Sequence, residues 1–512
     1  MVTKHRKGFD MKRNLALLLA LLMLMLLVLV ACDNKKEEKP GDVNGTDSGR
    51  EPEAADPYVT VNPDGSLTYN IIAPKFDWGG RVFNILVRSD AGAGNYNDMD
   101  FTYKESLMGE PINDAAYRRI IEIEEMYNIK INPIGASNGD HLAKIRASVT
   151  SGDKAYDITF NNPRINGTLS REGMLYDLLD FPNIDTKAPW WNQNQIKYAS
   201  IAGKLYNLAG DISMGIKKTI GVMLFNKKIV TELGLESPYN LIDNNEWTLN
   251  KLIQMCKEVW QVNGEGLPDT RSVYGCVGFH GTLTQALFAS GIFICEKDED
   301  DIPQLSFYSE RLVDAFDVIT EFLYDRTLFY NFQQGYASGR DGRTKFINDE
   351  AFIFWTEFYQ VHNLRAMDTD FGIIPAPKLN AEQERYYHPN NSAEAQVLAI
   401  PVGLSDDDKE KVGAIVDALG SMGRNYLLPA YYDISLKGKL TRDVESEKTI
   451  DIVFNALYFD VGRVYNIGNM GENFNSIMSS YNRDITSYYK SRESMMQNEI
   501  DTMVKQYLEL ES

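Results

Sequence analysis

Histidine and cysteine are both scarce in this chain of 512 residues: five of the first, four of the second. His5 lies in the N-terminal head, so general-base chemistry has few seats. Apart from Cys32 the cysteines are Cys256, Cys276 and Cys295. Three is an odd number, and their spacings match no common zinc site, so neither a disulfide framework nor a metal centre is implied. At most one bridge is possible, and buried free thiols are the simpler expectation. Basic charge is also short, 52 Lys and Arg against 72 Asp and Glu for a formal net charge of −20. A nucleic-acid partner would need phosphate-neutralising charge that is missing here. The same sign keeps the folded body off anionic headgroups. No nucleophile elbow, P-loop, dinucleotide fingerprint or zincin motif occurs. Internal repeats of a helical solenoid are missing as well. The acidic runs 296–301 and 406–408 lack the ordered spacing of an EF-hand and read as solvated turns. No cofactor is expected.

What is present begins at the N-terminus. Lys4, Arg6, Lys7, Lys12 and Arg13 form a basic head, followed by an unbroken apolar run over 15–31. That run is short for a membrane span and fits the h-region of a signal peptide, giving 1–31 as signal. It ends at Leu29-Val30-Ala31-Cys32, which resembles the lipobox of bacterial lipoproteins. The resemblance implies that Cys32 is acylated and becomes the mature N-terminus. Residues 33–56 are rich in Lys, Glu, Gly, Pro, Asp and Ser, with Val43 the one large apolar residue. Such a stretch buries too little surface to offset its conformational entropy, so 32–78 is expected to be a lipidated, disordered tether.

The rest is long enough for two domains. Val82, Ile85 and Val87 mark a short buried strand. Asn113 is a candidate cap for a helix carrying Ala116, Ile120, Ile123 and Tyr127 on one face. Strands follow at 129–131 and 156–160, separated by a helix through Leu142, Ile145 and Val149 that Gly152 stops. This βαβαβ order argues for an α/β fold with a mostly parallel sheet flanked by helices. Later come a strand at 221–225, a helix at 227–233 capped by Asn226, and a helix started by Thr248 with Trp247 and Leu252 as a hydrophobic staple. The last helix puts Met496, Ile500, Met503, Tyr507 and Leu508 on one side.

Four stretches then resemble the family 1 extracellular solute-binding proteins of bacterial ABC importers, which include maltose- and oligosaccharide-binding receptors. They are 147–160 with its Ser-Gly-Asp; Gly203-Lys204-Leu205-Tyr206-Asn207-Leu208 followed by 222–227 and Trp247-Thr248; 346–355 leading to 370–377; and 397–401 before a charged helix. The chain departs from the commoner pattern at Asn348-Asp349-Glu350-Ala351-Phe352, where a Gly and a Met are usual, and is longer between Trp191 and Gly203. The resemblance implies a two-lobed type II periplasmic-binding fold, with crossovers near Ala209, Asp370 and Asn425. Lobe 1 would comprise 79–209 plus 370–425, and lobe 2 would comprise 210–369 plus 426–512. It implies a monomeric receptor on the outer face of the cell membrane, held by its lipid alone, which delivers an oligosaccharide to the membrane subunits of an ABC importer. A surface-anchored glycoside hydrolase is the alternative, since paired carboxylates are plentiful.

A sugar presents hydroxyls in a ring plane and apolar C–H faces, so a site for it combines aromatic walls with carboxylates, amides and arginines. The ligand-binding candidates are chosen by position. Asn161 and Asn162 follow the strand at 156–160, although a turn before Pro163 would use them too. Asp211 sits past the first crossover. Trp190 and Trp191 offer stacking surface or core packing. Trp355 and Glu357 lie where the resemblance leads a strand into the cleft. Tyr431 and Tyr432 follow Pro429. Arg463, after Gly462, is a further candidate whose ordinary fate would be a surface salt bridge.

Overall fold

The computed structural model describes residues 56–89, 100–260, 272–333, 342–364, 367–436 and 444–510. The signal segment, Cys32 and the tether up to residue 55 lie outside the described residues, but 56–78, expected to continue the tether, is ordered: Val59–Val61 pairs with Leu67–Tyr69, and Tyr58, Phe76 and Trp78 pack on the core, apolar surface that offsets the entropy of ordering. Two sheets organise the rest. The first contains β1 (Arg81–Arg88), β2 (Ile129–Ala136) and β3 (Ile158–Asn161), and is interleaved with α1 (Pro111–Tyr127) and α2 (Asn138–Ser151). After β3 comes α3 (Pro163–Arg171). The second sheet contains β4 (Gly221–Asn226), β5 (Tyr274–Gly278), β6 (Phe329–Asn331), β7 (Ala351–Glu357) and β8 (Phe371–Ile374). The chain then returns to the first sheet through β9 (Val397–Ala399).

The strand order is β9-β3-β1-β2 in the first sheet and β6-β5-β7-β4-β8 in the second. In the first sheet only β9 runs antiparallel. In the second, β4 is antiparallel to both its neighbours. The central strands of the second sheet, β5, β7 and β4, are buried at every residue, which is why they read as continuous apolar runs rather than alternating ones. The second crossover corrects the sequence expectation. Phe371–Ile374 was assigned with the first lobe from residue 370, but it pairs with β4, Ile373 opposite Leu224. The chain therefore leaves the second sheet after Ile374.

Local signals account for most helix ends. Asn226 caps α4 (Lys227–Leu233), its Oδ1 accepting from the Ile229 N–H at 3.0 Å. Thr248 caps α5 (Leu249–Val259), and Trp247 is fully buried, its indole donating to the Pro375 carbonyl at 2.8 Å. Gly152 ends α2 in the left-handed region at φ 71°, where glycine carries no Cβ penalty. Two readings are corrected. Asn113 lies inside α1, which starts at Pro111, and its side chain instead accepts from the Lys104 N–H at 2.9 Å. Leu508 is 64 % exposed, while Met496, Ile500, Met503 and Tyr507 of α9 (Glu493–Glu509) are buried.

Between these come α6 (Thr282–Ala289) and a long helical passage, α7 (Asp406–Met422) and α8 (Leu428–Leu436). A π-helical turn, Gly423–Leu427, joins the last two. Such turns occur mainly as single-turn insertions and often at functional positions. Among the described residues no helix is long and apolar enough to cross a membrane. Cys256, Cys276 and Cys295 are free and buried, and burial pushes each thiol's pKa upward.

Candidate ligand-binding site

In open α/β sheets, ligands gather beyond the carboxyl ends of the parallel strands. Here β1 ends at Arg88 and β3 at Asn161, while β5, β6 and β7 of the other sheet end at Gly278, Asn331 and Glu357. A pocket of about 210 Å³ lies against these ends. Its walls carry Phe279 and Gln333 just past β5 and β6, Glu357 at the tip of β7, and Thr284 and Gln285 from α6. Asn390, Asn391 and Glu394 come from the segment before β9, Arg164 from α3, and Arg463 and Glu472 from the C-terminal helices. Glu357 of the second sheet, the helix after β3 and the segment before β9 on the side of the first, and the C-terminal region thus contribute side chains to one space.

Amides and paired ions set its chemistry. Glu357 accepts from the Asn391 Nδ2 at 2.9 Å. Glu394 pairs with Arg88, and Arg164 with Glu472 at 3.4 Å. Arg463 donates from Nε to the Asn390 carbonyl at 3.0 Å. Burial and the like charge of Arg164 bring the Arg463 pKa down to about 10, so it stays cationic at neutral pH. Gln285 Oε1 and Asn390 Nδ2 are buried without a hydrogen-bond partner among the described residues. An orphaned buried polar atom costs about 1–3 kcal/mol. A ligand hydroxyl, which both donates and accepts, would satisfy either one. Phe279, near Phe332 at 6.2 Å between ring centres, supplies the aromatic wall.

A second pocket, about 510 Å³, lies beside the passage from Gly210 to Lys217 and the π-helical turn. Asp211 is central to it. Its carboxylate takes Lys217 Nζ at 2.5 Å and Arg424 at 3.0 Å, so it ties the first crossover to the helical passage. Trp190 and Trp191 border the same space but are 1 % and 2 % exposed. Both indoles donate to Asp417 Oδ1, at 3.1 and 3.3 Å. Tyr432 lines this pocket too, and its hydroxyl donates to Asp451 at 3.0 Å.

The sequence-derived candidates therefore separate. Only Glu357, and the further candidate Arg463, line the pocket at the strand ends. Asp211, Trp190, Trp191 and Tyr432 belong to the second pocket. Asn161 is fully buried and spent internally, accepting from or donating to His141 at 2.7 Å, Thr159 at 2.8 Å and Asn166 at 2.7 Å. Asn162 caps α3, accepting from the Ile165 N–H at 2.9 Å. Trp355 and Tyr431 line neither pocket and are buried. Trp355 sits inside a central strand packed on both faces, while Asn161, although last in its strand, is used up by a buried hydrogen-bond cluster and Asn162 by a helix cap. Phe279, Gln285, Gln333, Asn390, Asn391 and Glu394 were missed. The polar run Pro389-Asn390-Asn391-Ser392 ahead of the apolar β9 was the signal that could have pointed to part of them.

Asp417 gives a stability expectation. Its carboxyl is buried, and burial raises its pKa to about 7, against the lowering effect of the two indole donors. Because the folded state holds this proton to higher pH than the unfolded chain, Asp417's contribution to stability falls as pH rises from about 4 to about 7. Asp417→Asn keeps an Oδ1 acceptor for both indoles and removes the charge. The variant should match its parent below pH 4 or so and exceed it by roughly 1–3 kcal/mol at pH 8. Urea unfolding of both proteins across that range checks this. A gap that does not grow with pH would show that Asp417 is not the titrating group.

With this geometry described, comparison with known proteins is informative. A sequence model described as "Bacterial extracellular solute-binding protein" matches residues 119–421. No curated protein matches the chain as a relative. Among solved structures, the cyclic α-maltosyl-1,6-maltose binding protein of Arthrobacter globiformis superposes with a TM-score of 0.54 at 13 % identity, over 84 % of this chain and 98 % of that one. A cyclo/maltodextrin-binding protein complexed with maltotetraose gives 0.53 at 13 %, over 85 % and 100 %. An ABC transporter solute-binding protein of Thermotoga lettingae bound with α-D-tagatose gives 0.51 at 13 %, over 83 % and 100 %. At these identities the likeness is one of fold, the two-lobed α/β architecture of periplasmic binding proteins.

Proposed function

The chain belongs to the bacterial extracellular solute-binding proteins, and from that membership we propose that it is a lipid-anchored receptor that encloses a carbohydrate and presents it to the membrane subunits of an ABC importer. The observation that carries the sugar is the strand-end pocket itself. It unites carboxylates, arginines and a set of Asn and Gln amides with one aromatic face, and one buried acceptor and one buried donor in it have no partner among the described residues. That is the complement of a ring bearing several hydroxyls. The neighbours holding maltotetraose and tagatose support the same ligand class by analogy.

On this reading the body acts as a monomer at the outer face of the membrane. One lobe takes 79–209 with the return segment after Ile374, the other takes 210–374 with the C-terminal region, and closure tightens the pocket between their strand ends. A thermal-shift screen of the protein against mono- and oligosaccharides tests it. A sugar at about a hundred times its dissociation constant, binding only the native state, adds about 2.7 kcal/mol of stability. A panel of sugars that leaves the melting curve unmoved would defeat the carbohydrate reading.

The anchor rests on Leu29-Val30-Ala31-Cys32 and the polar stretch behind it. Cys32→Ser should abolish acylation, so the variant is released or accumulates with its signal uncleaved. Membrane fractionation and gel mobility read the result. Unchanged mobility in the membrane fraction would mean that another segment holds the chain.

A further inference from the structure

Among the described residues, one cation of the strand-end pocket has no carboxylate within ion-pairing distance, although Asp460, Glu357 and Glu472 act on it from farther off. Arg463 follows Gly462 in the short helix Val461–Val464. Its Nε donates to the Asn390 carbonyl, and its guanidinium lies 5.3 Å from the centre of the Phe288 ring. Its two terminal amino groups make no hydrogen bond among the described residues, and no described carboxylate comes within ion-pairing distance.

The acids nearby are engaged elsewhere. Asp460 receives the backbone N–H groups of Ile294, Cys295 and Gly462, the last two at 3.1 and 2.7 Å. Glu394 is held by Arg88, and Glu472 by Arg164. Glu357 is engaged by Asn391. The arginine is therefore fixed by a carbonyl and an aromatic face, and its donor edge remains for whatever enters the pocket.

A half-desolvated guanidinium is costly unless an anion meets it. A neutral hydroxyl would accept one of its hydrogen bonds and leave the charge to the more distant carboxylates of Asp460, Glu357 and Glu472. A carboxylate would accept two in parallel, which the planar fork of arginine favours over any single acceptor. We propose that the sugar taken by this pocket is acidic, a uronic-acid saccharide whose carboxylate is received by Arg463. This rests on the carbohydrate reading given above and narrows it.

Calorimetric titration of the full chain decides the matter, using galacturonate and glucuronate oligosaccharides beside the carboxyl-reduced, neutral form of each. At least one acid should bind about 10- to 100-fold more tightly than its neutral counterpart, the difference one charge-assisted pair makes. Added salt should weaken the acid and leave the neutral form nearly unchanged. Arg463→Gln should erase the preference, and Arg463→Lys should keep part of it. If Arg463→Gln does not fold, the acid–neutral comparison and its salt dependence in the parent chain still decide. Neutral sugars binding as well as the acids, or better, overturn the proposal and leave the carbohydrate reading intact. Failure of every acid and every neutral sugar overturns both.

Discussion

Trp355→Ala should unfold at a markedly lower temperature than its parent, with a loss of about 3–5 kcal/mol. Trp355 lies in β7, the central strand of the second sheet, opposite Met223 of β4, and is 1 % exposed. Truncation removes the indole's buried surface and leaves a cavity that a five-stranded sheet cannot collapse to fill. The indole N–H has no hydrogen-bond partner among the described residues, so part of the cost of burying it is recovered when it is deleted. This separates two substitutions. Trp355→Phe keeps an aromatic filling and discards the orphaned donor, so it should stay within about 1 kcal/mol of the parent. Denaturant unfolding of the three proteins measures both. Binding of any sugar identified by thermal shift should be of parental affinity in the Phe variant. If instead affinity collapses while stability holds, Trp355 belongs to the ligand site rather than the core.

Gly423→Ala should be as damaging from a single added methyl. A Cβ at Gly423 would fall 1.9 Å from the Asp211 carbonyl oxygen and 2.7 Å from its carbon. Both are backbone atoms, so no rotamer change relieves the clash, and one of the two chain passages must move. Overpacking of this kind costs about 1–3 kcal/mol, and here the upper end or more is expected. The shift would also pull apart the Asp211–Arg424 pair beside it, separated by 3.0 Å. Gly139→Ala is the control. It sits in α2 with nothing nearer than 3.9 Å to the added methyl, and should be neutral or slightly stabilising. Gly423→Ala as stable as its parent would mean that the two passages part easily and that the contact does not set the effect.

The fold was legible where local chemistry dictates geometry. Asn226, Thr248 and Gly152 each mark a helix end because a side-chain acceptor or a missing Cβ acts within four residues. The order of β1, α1, β2, α2 and β3 followed from hydrophobic periodicity, and the quoted stretches led to the family that matches 119–421. Partner choice between distant strands was less accessible. Phe371–Ile374 reads the same whether it joins one sheet or the other, and only its pairing with β4, roughly 150 residues earlier, decides. Site residues failed for a related reason. Asn161 looked free as a polar residue at a strand end, yet Thr159 of its own strand, His141 of the helix before it and Asn166 of the helix after it consume its amide. Glu357, the last residue of its strand, does line the pocket at the strand ends. Asn390 and Gln285 were not legible, since their proximity arises only when the return segment passes over α6.

The three buried thiols have a practical consequence for studying the chain. In a Cys32→Ser background, a water-soluble thiol-alkylating reagent meets no accessible thiol on the folded body. Cys276 lies in β5, Cys256 in α5 against Gly275, and Cys295 where Asp460 grips the backbone. Modification therefore has to wait for the surrounding structure to part, and its rate becomes a clock for that event. Mass spectrometry can show whether Cys256 and Cys276 are tagged together while Cys295 lags. The chain thus carries its own probes of which portion loosens first, and of how strongly a bound solute slows it.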